Sequence, residues 1–308
     1  MKKVFIDGSA GTTGLRIFDR LSGRDDISLI TLPDELRKDL DARKNALNSA
    51  DIAFLCLPDA AAKEAAEMID NPETVVIDTS TAHRTAPGWA YGFPELSGLH
   101  KEKIALSKRI AVPGCHASGF ISLVYPLIEA GLLSKSALLT CFSVTGYSGG
   151  GKKMIEEYEN ENRNALLNAP RQYGLSQQHK HLPEMTAVSG LENAPCFSPI
   201  VAPFYSGMTV TVPLFADWIN GTADDIRKIY AEKYTGPVVK FSCNADENGF
   251  ASAVKFSGRD CMEISVAGNS ERILLISRYD NLGKGASGAA VQCMNLSLGI
   301  SETKGLEL

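Results

Sequence analysis

The stretch Ala111-Val112-Pro113-Gly114-Cys115-His116-Ala117-Ser118-Gly119-Phe120 sets a lone thiol between a Pro-Gly pair and an apolar run. Apolar residues continue at 120, 121, 123, 124, 127 and 128, which predicts a largely buried helix starting near Cys115, with Pro126 as a kink. A cysteine at a helix N-terminus faces unpaired N–H groups and the positive end of the dipole. Both stabilise the thiolate and make it a nucleophile. The other cysteines (56, 141, 196, 243, 261 and 293) have no comparable setting. A thiolate enzyme also needs a proton partner, and the informative histidines are His179 and His181 of Gln178-His179-Lys180-His181-Leu182-Pro183-Glu184. In extended chain both would point to one side, where either could serve as acid and base. Glu184 could orient one of them or bind substrate. No third ligand at metal spacing accompanies the pair and no CxxC occurs, so no metal is expected.

Two further stretches carry groups for anions. Thr145-Gly146-Tyr147-Ser148-Gly149-Gly150-Gly151-Lys152-Lys153 is a glycine loop ending in two lysines, with Ser148 and Lys152 as candidate substrate contacts. Asp78-Thr79-Ser80-Thr81-Ala82-His83-Arg84 follows an apolar strand pattern, at the carboxyl edge where open α/β sheets bind ligands. There Ser80 is a candidate cofactor contact, and Arg84 could grip a phosphate or carboxylate bidentately.

The elements that must position these groups begin with Val4-Phe5-Ile6, then Gly8-Ser9-Ala10-Gly11-Thr12-Thr13-Gly14, then a helical pattern apolar at 15, 17, 18 and 21. Strand, glycine turn and helix form the setting of a dinucleotide fingerprint, here spaced GxxGxxG instead of GxGxxG. Strands expected at 27–32, 52–57 and 75–77, with an alanine-rich helix over 59–69, give the alternation of a parallel, doubly wound sheet. Beyond the second strand lie Arg37 and Lys38, a cationic pair that suits the 2′-phosphate of NADP(H).

The 308 residues are 44% hydrophobic and 22% charged with net charge −5, the balance of a globular chain with a sizeable core. No basic run supports binding to nucleic acid or an anionic membrane, and no apolar stretch reaches a membrane span. Seven scattered cysteines without a leader-like start lead us to expect a reduced, cytoplasmic protein.

Taken in order, "DGSAGTTGLRI", "ADIAFLCLPDAAA", "VIDTSTAHRT", "YGFPEL", "VPGCHASG", "TGYSGGGKK", "HKHLPEM" and "NLGKGASGAAVQCMNLSLG" resemble the shorter, type 2 form of the N-acetyl-γ-glutamyl-phosphate reductase family. Longer members read PGCYPT where this chain has Pro113 to Ser118. The resemblance implies an N-terminal Rossmann-type NADP domain, residues 1–115, completed by a C-terminal helix, 285–308. It implies an α+β catalytic and oligomerisation domain, 116–284, of the glyceraldehyde-3-phosphate dehydrogenase type. Gly285 and Ala286 would open the returning helix beside the cofactor. The implied reaction is NADPH-dependent reduction of N-acetyl-glutamyl 5-phosphate through a Cys115 thioester, in a homodimer or homotetramer. An aspartate-semialdehyde dehydrogenase shares the chemistry and is the nearest rival. A non-catalytic NADP-binding redox sensor would be expected to lack Cys115 or the histidine pair.

Overall fold

Strand and helix alternate through the first third of the chain as the hydrophobic rhythm demands, and the computed structural model describes all 308 residues. Contacts divide the chain into two compact units, Met1–Gly114 with Ala286–Leu306, and Cys115–Gly285 with Glu307–Leu308.

The first unit holds strands β1 (Lys2–Asp7), β2 (Ile27–Ile30), β3 (Ile52–Leu55), β4 (Val75–Asp78), β5 (Ala90–Tyr91) and β6 (Arg109–Ala111). All are parallel, in the order β2-β1-β3-β4-β6-β5. Its helices are α1 (Thr12–Ser22), α2 (Leu40–Ser49), α3 (Asp59–Glu67) and α4 (Gly98–Leu106). Alternate residues of each strand feed opposite cores. Val4, Ile6, Phe54 and Ile77 pack on one face with Ile17 of α1, while Phe5, Ala53, Leu55 and Val76 pack on the other with Leu47 of α2 and Ala65 of α3. β2 and β3 stop two residues before their expected ends, at Ile30 and Leu55. Pro33 and Pro58 follow as N-caps of the next helical turns, and proline restricts the residue before it and lacks an N–H for a ladder.

The second unit begins with α5 (Cys115–Glu129), followed by β7 (Thr140–Gly146), α6 (Gly151–Glu159), β8 (Arg171–Gln172), α7 (Leu182–Ser189), β9 (Cys196–Ala202) and β10 (Met208–Phe215). It continues with α8 (Ala223–Lys233), β11 (Val239–Phe241), β12 (Met262–Gly268) and β13 (Arg272–Tyr279). These strands form one mixed sheet, β11-β12-β13-β10-β7-β9-β8. Residues 208, 210, 212 and 214 of β10 and 273, 275, 277 and 279 of β13 are buried on the face that α5 covers, as period-two alternation requires, while α8 packs on β11 and β12. The opposite face carries Phe142, Phe215 and Leu274 in the open, with Trp218 edge-on to Phe215 at 5.0 Å. A helical turn at Gly283–Ser287 leads into α9 (Gly288–Ser297), whose Ala289, Val291 and Met294 complete the core of the first unit. No helix is long and apolar enough to cross a membrane.

Candidate active site

Cys115 is the first residue of α5, and Pro126 lies within that helix, which runs on to Glu129. The helix is buried along most of its length, so its first turn is fixed by packing from below. Tyr279, fully buried on β13, donates from Oη to the Cys115 carbonyl (2.5 Å) and accepts from the Gly119 N–H (3.0 Å). It thus braces both ends of the helix's first i to i+4 pair. Gly119 lets the helix approach this closely: an added Cβ would meet Val210, Tyr279 and Ser277 at 2.5, 2.6 and 2.7 Å. Gly285, which was expected beside the cofactor, packs within this unit against Cys115, where a Cβ would stand 3.0 Å from the cysteine Cβ. Ala286 follows it in the helical turn before α9.

The histidines converge on the same end of α5. His181 is the N-cap of α7 and only 5% exposed. The pair is not extended as the sequence suggested, because Pro183 starts α7 immediately; the rings nevertheless lie 4.7 Å apart, edge to face. His179 Nδ1 accepts the backbone N–H of His181 (3.1 Å), which leaves the ring proton of neutral His179 on Nε2. His116 lies 5.6 Å from each of these rings and 5.3 Å from Phe197. Its nitrogens meet Ser143 Oγ and Tyr173 Oη, both at 2.6 Å. Burial, with His179 adding to it, pulls the His116 pKa down to about 3. Burial, reinforced by the Cys115 charge, raises that of Tyr173. Glu184, in the first turn of α7, is 2% exposed. His116, Tyr173, Ser143 and Tyr279 were not singled out from the sequence. The position of His116 beside Cys115 was the only signal for any of them.

Of the anion-binding candidates, Ser148 is buried and accepts from Asn281 Nδ2 (3.0 Å), whereas Lys152 is exposed in the first turn of α6. Arg84 lies in the first unit. Its Nε donates to Val112 O (2.9 Å) and its Nη2 to Thr79 O (3.1 Å), so it ties together the chain leaving β4 and β6.

The glycine loop of the first unit fits a dinucleotide. Gly8 has φ +87°, and a Cβ on Gly14 would stand 2.4 Å from Gly8 O, so helix and turn pack backbone to backbone. α1 starts at Thr12 with Gly11 as N-cap and no side-chain cap, and Thr12 Oγ1 is buried without a partner. An uncapped helix N-terminus with a spare hydroxyl is what a pyrophosphate needs, so Gly8, Ser9, Ala10, Gly11, Thr12, Thr13 and Gly14 suit the group. Ser80 is held at the β4 edge, its N–H and Oγ both donating to buried Asp78 (2.9 and 2.7 Å). Asp78 also meets His83 Nδ1 at 2.7 Å, and His83 stacks on Trp89 at 4.0 Å. Arg37 pairs with Asp34 (2.8 Å) at the surface. Arg43, overlooked in the sequence, grips Asp7 at the end of β1 (Nη2 to Oδ2, 2.8 Å), both largely buried. The available signal was the acid itself: a carboxylate at a buried strand end calls for a cation.

The cysteines are all free thiols, and no three His, Cys, Asp or Glu side chains are grouped to hold a metal ion. Cys56, at the end of β3, is an inert thiol, pushed up to about 12 chiefly by burial.

Family models described as "Semialdehyde dehydrogenase, NAD binding domain" and "Semialdehyde dehydrogenase, dimerisation domain" match residues 33–106 and 115–281. Among solved structures, aspartate semialdehyde dehydrogenase II of Vibrio cholerae, complexed with ASA, superposes with a TM-score of 0.72 at 17% identity. That match covers 97% of this chain and 98% of the other. The Candida albicans aspartate semialdehyde dehydrogenase with NADP gives 0.65 at 14% over 96% and 98%. At such identities these likenesses establish the fold. The sequences of named relatives go further. N-acetyl-gamma-glutamyl-phosphate reductase 2 of a Nostoc species is 43% identical over 99% of both chains, and the reductase of Rhizobium etli is 46% identical over 96% of this chain and 98% of its own. With such identity along nearly its whole length, the chain belongs to the N-acetyl-gamma-glutamyl-phosphate reductase family, as an oxidoreductase that uses NADP(H).

Proposed function

We propose that this chain reduces N-acetyl-glutamyl 5-phosphate to N-acetyl-glutamate 5-semialdehyde and phosphate, a step of arginine biosynthesis, with Cys115 as covalent nucleophile. The observation that carries this reading is the seat of Cys115: a helix N-terminus braced by Tyr279, with the next residue, His116, in ring contact with His179 and His181. The Cys115 thiolate, favoured by the helix terminus, attacks the acyl carbon; the C–S bond forms and phosphate leaves with its electron pair, giving a thioester. NADPH, when bound, supplies the hydride that reduces this thioester. The oxygen that gains charge then takes a proton, and later returns it as the C–S bond breaks, the aldehyde departs and the thiolate is restored.

His181 is the acid and base in these two transfers. An imidazole that donates a proton as an acid must first carry protons on both nitrogens at once, and His179 Nδ1 is committed to accepting the His181 N–H. His179 instead remains a neutral donor through Nε2, so His181→Asn should cost more in kcat than His179→Asn. Glu184, three residues beyond His181, orients the substrate or that ring. Ser148 and Lys152 meet the substrate's anionic groups. On the other unit the residue 8–14 turn and Ser80 hold the cofactor, with Arg37 at its 2′-phosphate. A surface ion pair such as Asp34–Arg37 is worth little, so its arginine can exchange the carboxylate for a dianion.

A second copy of this chain covers the open sheet face bearing Phe142, Leu274, Phe215 and Trp218, consistent with the dimerisation-domain match. Phe142→Glu should shift the assembly toward monomers in light scattering. The free thiols suit a cytoplasmic location.

The reverse reaction tests the assignment, since the acyl phosphate is labile. Phosphate-dependent NADPH formation from N-acetyl-glutamate 5-semialdehyde and NADP⁺, lost in Cys115→Ser, is expected. Turnover of aspartate semialdehyde alone would move the substrate assignment, and full activity of the serine variant would remove Cys115 from the mechanism.

A further inference from the structure

The three groups Ser143, His116 and Tyr173 form a closed chain whose protons can be counted. Ser143 Oγ contacts only His116 Nδ1, and Tyr173 Oη only His116 Nε2, each at 2.6 Å. Ser143 is fully buried on β7, His116 is 3% exposed, and Tyr173 is half-buried. A neutral imidazole has one N–H, so the chain holds three protons for two hydrogen bonds and one proton must point elsewhere. If His116 carries its proton on Nδ1, it donates to Ser143 and accepts from Tyr173. The spare proton is then the serine's, enclosed where nothing accepts it. If the proton is on Nε2, Ser143 donates to Nδ1, Nε2 donates to the tyrosine oxygen, and the spare proton is the phenol's. Only the second arrangement leaves no buried donor unmet.

We infer that Ser143 fixes His116 as the Nε2–H tautomer, and that this aims the Tyr173 hydroxyl proton outward as a hydrogen-bond donor to the oxygen that develops charge on the Cys115-bound substrate. His116 is then a positioning residue acting through Tyr173, which touches the reacting centre. No proton is transferred along the chain; each group keeps its own and only the orientation is set. Two observations support the direction. Tyr173 lies near enough to Cys115 for the thiolate to oppose its ionisation, and burial keeps its hydroxyl protonated, as a donor requires. His116 stays neutral for the same reason, so the tautomer count holds throughout the working pH range. A donor placed in advance where charge develops serves the reduction step better than a mobile water. The inference rests on the reading that the chemistry takes place at Cys115.

Two measurements on the full-length enzyme decide it. In ¹⁵N-histidine-labelled protein at neutral pH, the ring of His116, assigned by its loss in His116→Gln, should show a protonated Nε2 and a bare Nδ1. The opposite tautomer overturns the proposal. In Tyr173→Phe, kcat should fall about 10²–10³-fold, the range for loss of one such donor, with KM within about twofold and the melting temperature unchanged. A phenylalanine variant with wild-type kcat also overturns it. Should that variant fail to fold, the tautomer measurement on the wild-type protein stands by itself. Inactive Cys115→Ser beside fully active Tyr173→Phe would sink this inference alone, whereas an active Cys115→Ser would sink the nucleophile on which it rests.

Discussion

Replacing Gly119 with alanine tests whether the seat of Cys115 sets the rate. The new Cβ would lie 2.5 Å from Val210 Cγ2, 2.6 Å from Tyr279 Oη and 2.7 Å from Ser277 Oγ, where ordinary contact begins at 3.4 Å. Each neighbour is therefore about 0.7–0.9 Å too close. None can step aside at low cost. Val210 and Ser277 are fully buried in adjacent strands, and Tyr279 is held by its two hydrogen bonds to Cys115 and Gly119. The strain is relieved by lifting the first turns of α5 from the sheet, and Cys115 rises with them by a comparable distance. Overpacking of this kind costs about 1–3 kcal/mol, so the variant folds with a lowered melting temperature. A reacting group displaced by about 1 Å can lose about 10²-fold in rate. The expected result is a kcat near one hundredth of wild type in the reverse assay, followed as NADPH absorbance. NADPH affinity, measured by fluorescence titration, should stay unchanged because the turn at residues 8–14, proposed to hold the cofactor, belongs to the other unit. A variant within about threefold of wild-type kcat, with its melting temperature lowered as expected, would refute the link between this packing and the nucleophile.

Three other outcomes follow from buried groups. Arg43→Met leaves Asp7 buried without its cation and should cost about 3–5 kcal/mol in urea unfolding, with most of the loss recovered in Asp7→Asn/Arg43→Met; a loss under about 1 kcal/mol would show the pair to be solvated. The pKa of His116 lies at about 3 in the folded chain against an ordinary 6.5, so as pH falls the unfolded chain takes up this proton first. Its contribution is fully present above pH 6.5 and is lost between 6.5 and 3, at up to about 1.4 kcal/mol per pH unit. Unfolding free energies at pH 7, 6 and 5 should fall less steeply in His116→Gln, and equal slopes would count against burial as the cause. Gly285→Ala, whose Cβ would press on Cys115 at 3.0 Å, should slow alkylation of that thiol by iodoacetamide; an unchanged rate would mean the turn yields without moving the cysteine.

The parallel sheet was legible because its strands alternate with helices in a rhythm that few other folds share. The helix-terminal setting of Cys115 was legible because proline, glycine and an apolar run bracket one cysteine of seven. His179 and His181 were legible as a pair, but their geometry was misread, since the effect of Pro183 in starting α7 outweighs an extended reading. Arg84 shows a different limit of sequence reading. A guanidinium at a sheet edge looks the same in sequence whether it serves a ligand or two backbone carbonyls, and here its Nε and Nη2 serve Val112 and Thr79. Arg43 stayed hidden because its partner is 36 positions away, and only the packing of α2 against β1 brings them together.

What could not be read at all is the surface beneath α5, because strand register creates it. Val210 pairs with Ser143 on one side and Ser277 on the other, so two small polar residues flank it in a single row under Gly119. In sequence each serine is an unremarked residue inside a strand. Together with Gly119 they let the helix approach closely enough for Tyr279, one alternation along from Ser277, to reach the Cys115 carbonyl. Ser143, on the other flank, reaches the ring of His116. Larger side chains at these positions would still have made a well-packed helix on a sheet, with the thiol further out and the imidazole free to turn. The small residues in this row are therefore better explained by the placement of Cys115 and His116 than by the stability of the fold.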